Sequence, residues 1–353
     1  MAITRSGFLS LALGGLVTVS GLAACGGNST ASGDEASTSD SSVKLALLVT
    51  ESGLGDQGFN DLTYDGLKRA ESELGIGFDY AEPKQVSDFE PILRDLSNSG
   101  EYTIIVTMSF SELDALQTVA PDFPNQAYAF IDGFSDTPNV ASYSCREHEG
   151  SFLVGALAAL VKQNAADYGL NSQNKYGFVG ATDSAIINKF AAGYKAGIEY
   201  IDPTAVVDIR YVGGDNPFSD TATAKEVATS EFNDGSDIIY HAAGGSGNGV
   251  FQAAADNNFF AIGCNSNQNT IDPDHILASM LKRVDTASYA IAKSAVDGTL
   301  ELGKETVLSL ADDGVGYTTE GSNIKVSDDV ISEIENIKQR IIDGTIEVPD
   351  TIQ

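Results

Sequence analysis

The sequence predicts an α/β protein built as two doubly wound lobes of parallel sheet. Three observations carry that expectation. Short, β-branched, nearly uncharged runs alternate with segments of helical apolar spacing along most of the chain. The alternation starts over after about Cys145, which describes two sheets rather than one. The length, 353 residues, exceeds one ordinary core and suits two domains.

The first strand is read at 43–50 (VKLALLVT), a run almost free of charge, as expected of a strand buried on both faces. Behind it come Gly53, Gly55 and Gly58. Apolar or small residues then recur at Phe59, Leu62, Gly66, Ala70 and Leu74, a helical spacing stopped by Gly75. Strand Gly77–Ala81, helix 86–96, strand 102–108, helix 111–119 and strand 126–131 follow. A further strand at 139–145 leads into 149–162 (EGSFLVGALAALVK), a helix with too little polar surface to be anything but buried. The second series runs strand Lys175–Gly180, helix 187–200, strand 205–212, helix 221–232 and strand 237–242. Helix Gly247–Asn257 and strand 259–264 continue it, and helices 282–297 and 326–343 close the chain.

Fifty acidic residues stand against twenty basic ones, a net charge of −30. That argues against nucleic acid, whose recognition needs a basic footprint, and disfavours polyanionic ligands. Arg5 precedes an apolar segment from Gly7 to Ala24, closed by Leu22-Ala23-Ala24-Cys25. A basic start, a short apolar stretch and small residues at the cut make residues 1–24 a secretory signal. The cysteine behind Leu-Ala-Ala resembles a bacterial lipoprotein box, with Cys25 lipidated and the protein held at the extracytoplasmic membrane surface by its lipid chains. Residues 25–42, rich in Gly, Ser, Thr and Asp without apolar period, read as a flexible tether. Cys145 and Cys264 sit in apolar, strand-like contexts and read as buried free thiols. With three histidines and no clustered cysteines, no metal site of recognisable spacing is expected.

Ligands of open α/β sheets bind at the carboxyl ends of the strands. The loop behind the first strand places Asp56, Phe59 and Asn60 there. A carboxylate, an aromatic face and an amide suit a small ligand with hydroxyls and a flat ring; an ordinary tight turn with an Asn N-cap is the plainer alternative. Asp132 ends strand 126–131, and Phe218 lies in the loop after strand 205–212. Gly244-Gly245-Ser246-Gly247-Asn248-Gly249 opens a helix, where backbone N–H groups could meet a ligand oxygen. The run lacks the acidic ribose reader that a dinucleotide site wants. Residues 265–268 (NSNQ) offer four hydrogen-bonding side chains suited to a polyol, or to a surface turn. Lys282 follows the apolar segment 276–281.

Together these pieces resemble the basic-membrane-protein (Bmp) family of lipoproteins, the substrate-binding components of ABC importers, several of which bind purine nucleosides. The resemblance is carried by 56–61 (DQGFND), 149–160 (EGSFLVGALAAL), 176–180 with 190–197 (YGFVG, FAAGYKAG), 244–250 (GGSGNGV), 261–268, 279–285 (SMLKRVD) and 341–351 (IIDGTIEVPDT). It implies a type I periplasmic-binding-protein-like fold with two lobes joined by a hinge, residues 43–143 plus 279–308 and 144–278 plus 309–353. It also implies a nucleoside ligand, permease and ATPase partners, and neither cofactor nor catalysis. By the same likeness Asp56, Phe59 and Asn60 contact the ligand, Phe59 stacking on the base. Asp132 lines the cleft, Phe218 stacks from the other lobe, Gly245 approaches with backbone and Lys282 with its side chain. The family pattern IGxDxDQ reads Ile262-Gly263-Cys264-Asn265-Ser266-Asn267-Gln268 here. Asn265 thus offers neutral hydrogen bonds where a carboxylate would make charge-assisted ones, a difference of about 1–2 kcal/mol. A sugar, a modified nucleoside or a signal molecule remains open as ligand, and a nucleoside hydrolase as the enzymatic alternative.

Overall fold

The computed structural model describes residues 43–352. The expected signal segment, Cys25 and the tether lie outside them.

Strands β1 (Lys44–Leu48), β2 (Gly77–Ala81), β3 (Ile104–Met108), β4 (Ala127–Ile131) and β5 (Val140–Cys145) open the described chain. Helices α1 (Phe59–Leu74), α2 (Phe89–Ser99) and α3 (Leu113–Val119) link the first four. Helix α4 (Glu147–Lys162) crosses to the second lobe, where β6 (Lys175–Gly180), α5 (Ala185–Ile201), β7 (Val206–Tyr211) and α6 (Thr221–Asn233) follow. Next come β8 (Ile238–Ala242), α7 (Gly247–Asn257), β9 (Phe260–Gly263) and β10 (Ile276–Lys282). The chain then returns. Helix α8 (Val284–Asp297) packs on α1, and β11 (Glu305–Leu308) joins the edge of the first sheet beside β5. Finally β12 (Val315–Thr318) pairs with β10, and α9 (Asp328–Ile342) packs on α4.

Two six-stranded sheets result, in the orders β11-β5-β4-β3-β1-β2 and β12-β10-β9-β8-β6-β7. Every pairing is parallel except β10 with β12. In each sheet the first strand lies inside, its successor on one flank and the third strand on the other. The connections therefore reverse direction between β1 and β3, and again between β6 and β8. Such a reversal opens a crevice at the strands' carboxyl ends.

Apolar burial accounts for the layers. Leu45 to Leu48 of β1 are all buried, because helices cover both faces of the sheet. Helix α4 is buried nearly all round, as its composition requires, between α5, α9 and the second sheet. Its fit against α5 is backbone on backbone. A Cβ on Gly193 would lie 2.1 Å from the His148 carbonyl oxygen, and one on Gly197 2.1 Å from that of Phe152. Only glycine allows that approach.

The structure departs from the expected elements where polarity and turn geometry compete. Helices 86–96 and 111–119 each begin as a 3-10 turn, Val86–Asp88 and Phe110–Glu112, before α2 and α3. Helix α4 starts at Glu147 rather than residue 149. Lys282 ends strand β10 instead of starting a helix, since the apolar segment before it is itself a strand. Strands β11 and β12 were not anticipated: Glu305, Thr306 and Val307 of β11 are exposed on an edge, and β12 has only four residues. The antiparallel β12 also qualifies the expectation of wholly parallel sheets. The division at 143/144 and at 278/279 cuts β5 and β10, each of which lies whole in one sheet.

The α4–α5 contact generates a direct test. Gly197→Ala should lower stability by about 1–3 kcal/mol through overpacking. A urea denaturation midpoint equal to that of the unaltered protein would show that the two helices can separate at no cost.

Candidate binding cleft

The loop behind β1 is organised by one carboxylate. Buried Asp56 accepts hydrogen bonds at Oδ1 from the backbone N–H of Gly58 (2.9 Å) and Asp61 (3.2 Å). Its Oδ2 accepts from Asn60 N–H (2.9 Å) and Asn60 Nδ2 (3.1 Å). It thereby satisfies the free donors of the first turn of α1. Burial raises the Asp56 pKa, and these bonds pull it back only in part. Asn60 ties the helix to the strand: its Oδ1 accepts from Thr50 N–H (2.9 Å), and its Nδ2 donates to Thr50 Oγ1 (3.0 Å). Asn60 is therefore no N-cap; Gly58 occupies that position. Asp56 and Asn60 both line the cleft, yet their polar atoms are committed to holding Phe59 in place.

At the floor lies a buried charge cluster. The Lys282 ammonium is ion-paired with Asp132 from the first lobe and lies 2.9 Å from Glu147 Oε1. Lys282 is 2 % exposed and Glu147 wholly buried. Neither Glu147 oxygen has a hydrogen-bond partner among the described residues, so its tie to Lys282 is an ion pair. Burial pulls the lysine pKa down, but the two carboxylates outweigh it and hold it above the usual range. Burial raises the Asp132 pKa against the opposing pull of Lys282. Asp132 has a left-handed backbone, φ 86°, fixed by its N–H donating to the Tyr143 carbonyl at 2.7 Å. The ammonium also sits 5.3 Å from the Phe59 ring centre and 5.5 Å from that of Phe190.

The second lobe supplies the opposite wall. Phe218 reaches across to Phe110, ring centres 6.2 Å apart. Gly244 and Gly245 pass between the Phe218 backbone and the cleft. The later glycines of that run have another purpose. A Cβ on Gly247 would strike the His241 ring at 2.1 Å, and one on Gly249 the Thr221 carbonyl at 2.1 Å, so both serve close packing. The NSNQ turn divides similarly. Asn265 alone faces the cleft, in a left-handed conformation (φ 71°), its carbonyl accepting from Lys282 N–H at 2.9 Å. Asn267 turns away to the Glu320 carbonyl, and buried Gln268 bonds to Cys264 N–H and to His241. Ser266 and Gln268 both donate to the Gln57 carbonyl of the other lobe, at 2.6 and 3.3 Å.

The cleft encloses about 620 Å³ of space between protein atoms, counting the part open to solvent. Its lining includes Asp56, Phe59, Asn60, Asp132, Phe218, Gly245, Asn265 and Lys282, every cleft residue anticipated from the sequence. Sequence reasoning missed Glu51, Phe110, Phe190 and, behind the lining, Glu147. The one available signal for Glu147 was that it stands, with Glu149, in the first turn of an otherwise apolar helix. Cys145 and Cys264 are buried and unpaired, and burial pushes the Cys264 thiol up to about 12. Among the described residues no group of side chains could hold a metal ion, and no helix is long and apolar enough to cross a membrane.

Replacing Lys282 by Met would leave Asp132 buried without its ion-pair partner and Glu147 with only Lys189, 4.0 Å away. The expected loss is about 3–5 kcal/mol, read by chemical denaturation. A loss below about 1 kcal/mol would mean that water reaches both carboxylates.

Residues 43–352 match the family model for the ABC transporter substrate-binding protein PnrA-like family, Bmp. A lipoprotein of Pyrococcus abyssi is 33% identical, the match covering 88% of this chain and 76% of that protein. The ABC transporter nucleoside-binding protein BmpA of Lactococcus lactis is 29% identical over 87% of this chain and 89% of its own. Among solved structures, an ABC transporter system solute-binding protein from Aeropyrum pernix superposes with a TM-score of 0.77 at 29% identity, covering 87% of this chain and 94% of that one. Two facing strand-end crevices, a closed set of site residues and a match spanning both lobes lead to one assignment: the chain belongs to the Bmp family of ABC transporter substrate-binding proteins, a family of binding proteins rather than enzymes, which work with a permease and an ATPase at the outer face of the membrane.

Proposed function

We propose that this protein binds a nucleoside, a purine nucleoside first, in the cleft between its lobes, and delivers it to the permease. One observation carries the reading: phenylalanines from opposite lobes, Phe59 and Phe218, line a single cleft whose floor is polar. A flat ring stacks between such walls, while hydroxyls reach Asp132, Lys282 and Asn265. The charged lining is Glu51, Asp56 and Asp132 against Lys282 alone, which disfavours a phosphorylated ligand. The name of the Lactococcus lactis relative as nucleoside-binding supports the ligand class.

Hinge closure of two lobes, each holding one sheet with β5 whole in the first and β10 whole in the second, buries the ligand in this reading. Hydroxyl recognition then rejects the free base, because buried polar groups left unpaired cost more than their bonds gain. Lipid attachment at Cys25 keeps the protein on the extracytoplasmic face. Its support is the Leu22-Ala23-Ala24-Cys25 sequence and the naming of relatives as lipoproteins. A sugar or a modified nucleoside is the second reading, favoured by Asn265, whose amide grips vicinal hydroxyls less firmly than a carboxylate.

Calorimetric titration with guanosine, inosine, adenosine, uridine and ribose separates the two, and binding of ribose alone would sink the nucleoside reading. Phe59→Ala should weaken purine nucleoside binding by about 1–3 kcal/mol, a stacking-sized loss; an unchanged affinity would remove its stacking role. Asn265→Asp should tighten nucleoside binding by roughly tenfold. No gain would place the ribose away from this turn.

A further inference from the structure

Most polar side chains of the cleft are already committed within the protein, Asp56 and Asn60 to their loop, Asp132 and Lys282 to each other. Glu51 is different. It follows β1 at the point where the first sheet's connections reverse, on the loop that leads to Phe59 at the start of α1, and it lines the cleft. It is half-buried, and the bond recorded to its carboxylate is a long one, the Ser111 hydroxyl at 3.5 Å. Asn265, on the opposite wall, is another lining side chain with unspent groups. Its Oδ1 has only the Cys264 thiol at 3.6 Å, and its Nδ2 has no partner among the described residues. The two come from opposite lobes, and a carboxylate and an amide make opposite demands on a ligand.

A carboxylate accepts hydrogen bonds and donates none. Its two oxygens match two parallel N–H donors, giving a bidentate, charge-assisted pair. We infer that Glu51 reads the edge of the ring stacked on Phe59, and makes the site selective for 2-amino-6-oxopurine nucleosides. This rests on the nucleoside reading above and deepens it. A 2-amino-6-oxopurine presents its ring N1–H and its 2-amino group side by side. A 6-oxopurine lacking the amino group offers one donor. A 6-aminopurine offers one donor next to a ring-nitrogen lone pair, which a carboxylate repels. An amide in place of Glu51 removes the preference, because its donor and acceptor match the 6-aminopurine edge and the O6/N1–H edge of a 6-oxopurine alike.

The test is titration of the purified full chain with guanosine, inosine and adenosine, before and after Glu51→Gln. Guanosine should bind the unaltered protein about tenfold or more tightly than adenosine, with inosine between them. Glu51→Gln should bring the guanosine-to-adenosine ratio close to one, and Glu51→Ala should also remove the guanosine advantage, with weaker binding of both. A melting temperature close to the unaltered protein's shows that each variant is folded. Equal affinities in the unaltered chain, or a ratio unmoved by Glu51→Gln, would overturn this assignment alone and leave nucleoside binding standing. Absence of any purine nucleoside binding would overturn both.

Discussion

The ammonium of Lys282 is the point on which both lobes depend. Lys282 ends β10, just where the chain crosses back to the first lobe, while Glu147 opens α4 at the preceding crossing. The third crossing, behind β11, is tied in by neighbours of the same pair. Glu149 Oε2 accepts from Leu310 N–H at 3.0 Å, Arg146 N–H donates to the Leu308 carbonyl at 2.8 Å, and Arg283 N–H to the Gly314 carbonyl at 2.9 Å. Charges removed from water are costly singly and tolerable only together. With two carboxylates against one ammonium the cluster is under-compensated, and Lys189, 4.0 Å from Glu147, supplies part of the missing charge. The arrangement makes the floor of the cleft and the joint between the lobes one electrostatic unit.

Backbone strain is concentrated at the same edge. Among the described residues six non-glycines take left-handed conformations, and four of them, Gln57, Ser109, Asp132 and Asn265, lie behind the carboxyl end of a strand at the cleft; Asn258 and Asp313 are elsewhere. Outside a glycine such a conformation costs of order 1 kcal/mol or more and persists where its surroundings over-determine it. The surroundings here are hydrogen bonds. Ser109 N–H donates to the Ile131 carbonyl at 3.0 Å, Asp132 N–H to that of Tyr143, and the Asn265 carbonyl accepts from Lys282. Neighbouring strand ends thus lock one another, and the side chains they aim into the cleft inherit that rigidity. Preorganised walls spend little ordering entropy when they receive a ligand.

Much of this was legible in the sequence because glycine and apolar period punctuate it clearly. Helix α1 was anticipated from Phe59 to Leu74, since Gly58 and Gly75 mark its ends, and β2, β6 and α7 were bounded as well as they could be. The cleft residues were legible too, because all but Lys282 follow a strand that the apolar pattern marks; Lys282, expected behind an apolar segment as the start of a helix, ends strand β10. Roles were less so. Nothing in the pattern of DQGFND reveals that Asp56 and Asn60 spend their polar atoms on the loop, because that outcome depends on where Thr50 stands across the turn. Phe190 could not be told from core on an amphipathic helix, nor Glu51 from ordinary loop polarity. The GGSGNG run shows the converse error: two of its glycines answer to a histidine ring and a neighbouring helix, a packing demand that spacing cannot separate from a ligand demand.

The width of the cleft follows from contacts that span it. The Gln57 carbonyl receives Ser266 from the opposite lobe at 2.6 Å and Gln268 at 3.3 Å, and Phe110 meets Phe218 beyond them. Each such bond contributes about 0.5–1.5 kcal/mol net, and an aromatic pair about as much again. These are too weak to lock two lobes against thermal opening, yet directional enough to set how far apart their walls stand. Gln268 gives the mouth a fixed base: its Oε1 is held by Cys264 N–H at 2.8 Å and by the His241 ring, which burial keeps neutral with a pKa lowered to about 4. With Oε1 held from its own lobe, the amide NH2 of Gln268 is the group left to reach across to Gln57. The spacing of the two phenylalanine walls, and with it the thickness of the ring they accept, is therefore set by the core of the second lobe as much as by the cleft itself.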